Sequence, residues 1–112
     1  MAFQKITPTR LAQAASTTAF LAIYTCPSGT RTYVKDITVC NTTGSAVTLF
    51  LSLVTNQGTA GTTNALFNAS SIAANTTFQW KGTQIMNAAE TLQFKGSATG
   101  LTINISGAEA VD

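Results

Sequence analysis

Residues 31–55, RTYVKDITVCNTTGSAVTLFLSLVT, decide the fold class of this chain, because two alternating runs flank a turn sequence. The turn is Asn41–Ser45, and the run after it, Ala46–Thr55, places four apolar residues two positions apart: Val47, Leu49, Leu51 and Leu53. A period of two residues is typical of a β-strand with one buried face. The stretch therefore predicts two strands separated by a turn.

The run before the turn, Arg31–Asn41, alternates less regularly. A strict period of two puts Tyr33, Ile37 and Val39 on one face. The other face then holds Val34, Asp36, Thr38 and Cys40. We predict a strand here as well, preceded by the tight turn Pro27–Thr30, in which Pro fixes φ and Gly29 accepts a positive φ.

Similar strand and turn patterns continue on both sides of this stretch. They predict strands over Thr18–Cys26, Thr76–Lys81, Thr91–Gly96 and Leu101–Ser106, with a short element over Asn64–Ala69. Gly82–Glu90 is predicted as a connection carrying Ile85 and Met86, and Gly107 as a break or bulge. The pattern gives about eight strands and no helix, which predicts an all-β antiparallel sandwich. Jelly-roll and immunoglobulin-like topologies both fit.

The first 16 residues have a different character from the rest. Thr7-Pro8-Thr9 disfavours helix, and apolar residues are isolated among polar ones. We therefore predict an extended N-terminal arm over residues 1–16 and one sandwich domain over residues 17–112, and the arm is suited to adding to the sheet edge of a neighbouring subunit. The start shows no signal-peptide pattern, so we expect synthesis in a cytoplasm, and no apolar run is long enough to span a membrane.

Charge is scarce throughout the chain. The 112 residues include six basic and four acidic side chains and no histidine. Nucleophilic catalysis needs a base beside the nucleophile, and glycoside hydrolysis needs paired carboxylates; neither pattern is present. Glu109 and Asp112 lie in the predicted tail, and Glu90 stands alone in a loop. The basic residues form no cluster along any segment, so we expect no nucleic-acid partner, no catalytic site and no cofactor.

The two cysteines, Cys26 and Cys40, admit two interpretations. Two thiols without histidine cannot complete a zinc site. A bridge across a local hairpin fails on register, because Cys26 would then face Arg31. We favour free thiols packed as small apolar groups. A disulfide, between packed sheets or between subunits, is the minority alternative.

Four apolar residues are candidates for subunit contacts or recognition: Phe3, Ile6, Leu11 and Trp80. Trp80, Tyr24 and Tyr33 would also suit a sugar-stacking platform. The alternative is that Trp80 belongs to the core, and we favour it because Trp80 alternates in phase with Phe78.

Two motifs carry a resemblance. The turn Tyr24-Thr25-Cys26-Pro27-Ser28-Gly29 is followed by the strand Val34–Cys40, which ends in Asn41-Thr42-Thr43-Gly44. This pattern resembles small all-β virion proteins of tailed bacteriophages, over roughly residues 7–111. The resemblance implies a non-enzymatic structural part of the particle, usually a symmetric oligomer. The chain departs from that pattern at Cys26 and Cys40, where an aliphatic residue is common.

On this resemblance we expect a capsid decoration or cement protein that stabilises the head. Its partners would be itself, as a homotrimer, and other virion proteins such as the major capsid protein. It would reside in the virion after synthesis in the bacterial host cytoplasm. Low charge fits this role, because interfaces are depleted in charged residues at their centres. The alternatives are a tail or fibre component and a carbohydrate- or host-surface-binding module.

Overall fold

The chain folds as two four-stranded antiparallel sheets packed face to face, in a computed structural model that describes residues 5–56 and 58–111. The strands, in chain order, are β1 (Lys5–Ala15), β2 (Leu21–Thr25), β3 (Thr30–Asn41), β4 (Val47–Val54), β5 (Ala65–Ile72), β6 (Thr77–Met86), β7 (Thr91–Gly96) and β8 (Leu101–Val111). One 3-10 turn, Thr62–Asn64, precedes β5. None of the helices found in the described residues is long and apolar enough to cross a membrane.

The strand order resolves the topology. Sheet 1 has the order β1-β8-β3-β6 and sheet 2 the order β2-β7-β4-β5. The chain crosses between the sheets repeatedly, and its first and last strands lie side by side. Eight strands arranged in this way form a jelly roll. The predicted all-β sandwich of about eight strands is confirmed, and of the two topologies left open the jelly roll is the one present.

The core lies between the two sheets and is built mainly by the central strands. Leu49 and Leu51 of β4 are fully buried, which confirms the inward face predicted from the sequence. The largest fully buried side chains on the other strands are Val34, Ile37, Val39, Met86, Leu92, Phe94, Leu101, Ile103 and Ile105. On β7 and the first part of β8 these residues follow a period of two, which leaves the alternate residues for the outer faces.

A β-bulge corrects the predicted face of β3. The register with both neighbouring strands shifts between Val34 and Asp36, and Lys35 is an extra residue relative to β8. Val34 is therefore buried together with Ile37, and Tyr33 points to the outer face. A strict period of two cannot reveal such a bulge, because one inserted residue reverses the face of everything beyond it.

Strand β6 corrects the predicted connection Gly82–Glu90. The strand continues to Met86, which is fully buried, and resumes pairing with β3 at Gln84. Its alternation is interrupted at Gly82, where a Cβ would come within 2.8 Å of Trp80 Cζ2. Similarly, β8 runs through Gly107 to Val111 without a break.

The turn Pro27–Thr30 has the predicted Gly29 with positive φ (66°). The strands that it joins lie in different sheets, so the hairpin assumed for the register of Cys26 is wrong. A local sequence pattern identifies the turn but not the sheet that the next strand enters.

The predicted N-terminal arm is extended, and its described part is β1. This strand pairs with β8 of the same chain, from Lys5 opposite Val111 to Ala15 opposite Thr102. The boundary at residues 16 and 17 thus falls in the connection between β1 and β2. Pairing of this segment with another subunit stays a prediction.

Candidate functional site

The described residues bring together no metal site. They include no group of three or more Cys, Asp or Glu side chains placed to hold an ion, and the sequence has no histidine. The chemistry-bearing side chains that do meet are Tyr24, Cys26, Thr32 and Glu109, at one end of the sandwich. We refer to these four as the polar cluster.

The polar cluster links both sheets. The Tyr24 hydroxyl, from β2, donates to Glu109 Oε2 of β8 at 2.6 Å and lies 2.7 Å from Thr32 Oγ1 of β3. Cys26 Sγ lies 3.2 Å from the same Thr32 oxygen. Glu109 therefore lies in β8 with its side chain directed toward the interior. Its predicted place in a tail is wrong.

The cluster's chemistry is structural. Burial, and then the hydrogen bond to Glu109, raise the pKa of the Tyr24 phenol above its ordinary value of 10.0, so the phenol stays neutral and donates. The neighbours of the Cys26 thiol are a hydroxyl and the carbonyl oxygens of Pro27, Thr30 and Met86, none of which is a general base. The arrangement joins β2, β3 and β8 through hydrogen bonds.

The two cysteines lie at opposite ends of β3 and are both free. Cys26 is 1% exposed and contacts Thr32, whereas Cys40 is half-buried on the outer face of sheet 1. Thr32 and Cys40 are eight residues apart on one strand, or roughly 25 Å. A bridge between the two thiols of one chain does not fit this separation, and a bridge between subunits stays a prediction.

The predicted contact residues separate into three environments. Ile6 of β1 is 60% exposed, whereas Leu11 is buried in the core, where the register of β1 shifts. Trp80 points inward and packs against the core. Phe3 lies outside the described residues. The side chains of Leu11 and Trp80 therefore pack against other residues of the same chain. Of the three described candidates, only Ile6 projects into solvent.

Trp80 closes the sandwich where the edge strands β5 and β6 meet. Its ring lies edge-on to that of Phe67, with centroids 6.4 Å apart, and Phe67 packs edge-on against Phe78 at 5.3 Å. A cavity of about 50 Å³ remains beside Trp80, Ile37 and Gln84. Tyr24 faces the interior and Tyr33 the outer face of sheet 1, so the three aromatic residues do not share a stacking surface.

A shallow groove crosses the outer face of sheet 2. Its volume is about 220 Å³, and its lining includes Phe20, Phe50 and Lys95. Lys95 Nζ lies 4.9 Å and 4.7 Å from the centroids of the two rings, which is the geometry of a cation–π contact. The lysine occupies the space between the rings, so no exposed aromatic platform is left there. Sequence patterns do not indicate this groove, because Phe50 and Lys95 become neighbours only through the pairing of β4 with β7.

All four edge strands are interrupted. Pro8 lies in β1, and the pairing register shifts within β1, β2, β5 and β6. In β5, Ala69 also has a positive φ of 56°. Proline, short strands and bulges are devices by which proteins block the addition of foreign strands at sheet edges. The outer faces of the two sheets, and not the sheet edges, are therefore the surfaces best suited to contact another molecule.

Comparison with known proteins identifies a fold. No protein-family model and no curated protein matches the chain. Among solved structures, a subunit described as part of Bacillus endospore appendages, a family of disulfide-linked pili, aligns with a TM-score of 0.58 and 13% identity, over 99% of this chain and 94% of that one. A chain of infectious bursal disease virus, Gx strain, aligns with a TM-score of 0.57 and 12% identity, over 96% of this chain and 32% of that one. At such identities the likeness is one of fold.

Proposed function

We propose that this protein is a non-enzymatic structural subunit of a tailed-phage virion, namely a decoration or cement protein that stabilises the head. It would assemble as a homotrimer and bind other virion proteins such as the major capsid protein. The observation that carries the proposal is a jelly roll in which the polar cluster bonds strands of the two sheets to one another. The protein would then act through the contacts that its surface makes with other subunits.

The two solved structures support a role in assembly. One is of pili and the other is of a virus particle, and both contain this fold. The phage assignment rests on the resemblance of the turn and strand motifs between Tyr24 and Gly44. Jelly rolls are common in capsids, but a fold alone hosts many functions, so the proposal needs its own test.

The test has two parts. Sedimentation velocity over a concentration series should give a species larger than the 11.6 kDa chain. DNA-free heads of the phage that encodes the chain should then bind the purified protein at a saturating, fixed ratio. A protein that stays monomeric at high micromolar concentration and does not bind heads would contradict the proposal. Binding to isolated tails instead would favour the tail or fibre alternative.

A second candidate is the subunit of an extracellular filament. It is favoured by one observation: the similarity to the pilus structure extends over 99% of this chain and 94% of that one. The half-buried Cys40 on an outer face is the thiol that another subunit could reach. Electron microscopy of concentrated, oxidised protein distinguishes this candidate, because it predicts filaments that thiol reductants dissociate.

A further inference from the structure

On the outer face of sheet 1, residues that are paired across neighbouring strands form rows. One row crosses all four strands: Pro8 on β1, Ala108 on β8, Tyr33 on β3 and Ile85 on β6. Ile6 lies next to it on β1, and Ile6 and Ile85 are 60% and 52% exposed. We refer to these five residues as the apolar stripe.

A charged row lies directly beside the apolar stripe. It contains Arg10 on β1, Ser106 on β8, Asp36 on β3 and Lys81 on β6. Lys35, the extra residue of the β3 bulge, is exposed beside it and donates to Thr83 Oγ1 at 3.1 Å. Arg31 occupies the same face on the far side of the stripe. Four of the six basic residues thus meet on one face, although they are scattered along the sequence.

Asp36 is the one acidic residue that the register places in this row, so Arg10, Lys81 and the adjacent Lys35 leave this part of the face with a net positive charge. Asp36 accepts hydrogen bonds from Thr38 Oγ1 at 3.1 Å and Gln79 Nε2 at 3.2 Å. Arg10 bonds the amide oxygen of Gln13. The described hydrogen bonds of Arg10 and Lys35 thus go to neutral oxygens on an exposed surface, where an external anion can compete for the same donors.

Charge decides against a second copy as the occupant of this face. Two such faces brought together would oppose basic rows, and like charges across an interface cost affinity. The outer face of sheet 2 offers no acidic complement either, because its strand-borne charge is Lys95. Glu109 faces the interior. The chain lacks, in its described residues, an acidic face that would match.

The apolar stripe decides between a nucleic acid and a protein. Phosphate backbones are bound by cations and polar groups, and exposed aliphatic side chains contribute little to them. An apolar centre with a charged rim is instead the anatomy of a protein interface. We propose that the outer face of sheet 1 docks a different protein, whose complementary surface is apolar at its centre and acidic beside it. This inference rests on the proposed structural role and specifies the partner's chemistry.

The experiment measures binding of a fluorescently labelled glutamate–tyrosine copolymer, a chemical mimic of an acidic and apolar surface, at low and high salt. Two matched pairs of variants give the controls. Lys81→Gln and Lys95→Gln each remove one lysine, from sheet 1 and sheet 2. Ile85→Ser and Leu21→Ser each replace a similarly exposed aliphatic side chain, 52% and 49% exposed.

We expect Lys81→Gln to weaken copolymer binding about threefold to fivefold and Ile85→Ser about tenfold, with little change for the two controls. The proposal is overturned if the wild type does not bind, or if the controls weaken binding equally. It is also overturned if a DNA duplex binds as tightly and independently of Ile85, which would indicate a nucleic-acid surface.

Sedimentation velocity of the same variants separates this proposal from the assembly function. Ile85→Ser should leave self-association unchanged, and loss of self-association would make a second copy the occupant and overturn the inference. A wild type that neither self-associates nor binds heads, yet binds the copolymer through Ile85 and Lys81, would contradict the assembly function alone.

Discussion

At the scale of single residues, Gly107 is the position where the backbone leaves least room. A Cβ there would overlap the carbonyl oxygen of Tyr33 on the neighbouring strand. Gly107→Ala must therefore push β8 away from β3, the two central strands of sheet 1. We expect a loss of at least about 2 kcal/mol in the free energy of unfolding, measured by urea denaturation.

Gly44→Ala is the matched control for Gly107→Ala. Nothing lies within 4 Å of a Cβ at Gly44, and its φ is not in the left-handed region. The control should change stability by less than about 0.5 kcal/mol. Equal losses in both variants would show that the close approach of β8 to β3 is not what requires glycine.

Tyr24 gives the fold a sensitivity to alkaline pH. Its raised pKa means that the folded state keeps the phenolic proton after the unfolded chain, with a pKa near 10.0, has lost it. This contribution is complete below pH 10 and is lost as the pH rises from there through the folded pKa. We expect stability to decline above pH 10, and Tyr24→Phe to remove that part of the decline.

Tyr24→Phe should also cost about 1–2 kcal/mol at neutral pH, because Glu109 and Thr32 lose a hydrogen-bond partner. Tyr33→Phe, on the outer face, is the control and should retain the alkaline decline. Urea denaturation of all three proteins at several pH values measures both effects. The mechanism is wrong if the decline persists unchanged without the Tyr24 hydroxyl.

The two thiols should differ in reactivity. Cys26 is 1% exposed and surrounded by carbonyl oxygens, so only an opening motion admits a reagent. Cys40, half-buried on the outer face of sheet 1, should react much sooner. Mass spectrometry of the native, unreduced protein should find both thiols free, and a timed alkylation should label Cys40 first. A recovered covalent dimer would contradict the free state.

At the level of secondary-structure elements, β1 is the strand for which the structure differs most from the sequence prediction. The sequence predicts an arm here, because proline and isolated apolar residues break the alternating pattern. The structure pairs it with β8 and buries Leu11 and Ala12 in the core. The bulge at Leu11 explains the mismatch, since it changes which residues face inward midway along the strand.

Removal of residues 1–16 tests whether β1 is part of the domain. The truncated chain exposes the edge of β8 and loses the burial of Leu11, which should cost more than about 2 kcal/mol and promote aggregation. Removal of residues 1–4 leaves β1 whole and serves as the control. If the longer truncation melts at the same temperature as the full chain, the domain is residues 17–112 as the sequence predicts.

At the scale of the whole molecule, the topology joins the two ends of the chain. β1 pairs with β8 along its full length, and each sheet combines strands that are distant in sequence. Such non-local pairing requires the closure of long loops before contacts form, so folding is slow. We expect refolding on the order of milliseconds to seconds. Stopped-flow fluorescence of Trp80, the one tryptophan, measures it, and microsecond refolding would contradict the argument.

The sequence alone predicts the fold class, most strand positions and the scarcity of charged side chains. It could do so because a period of two along β4, β7 and the first part of β8 is a local consequence of having one buried face. The turn at Gly29 was equally local, since a positive φ favours glycine whatever the strands around it do.

Which strands lie side by side is visible only in the folded molecule. In the folded molecule β2 and β3 lie in different sheets, and the bulge at Lys35 changes which residues of β3 face inward. The side chain of Glu109 is directed inward, where it accepts a hydrogen bond from Tyr24. The pairing of the strands also gathers Arg10, Lys81 and the apolar stripe onto one face. These relations join residues far apart in the chain, and register between strands is set by packing over the whole core, which no local pattern encodes.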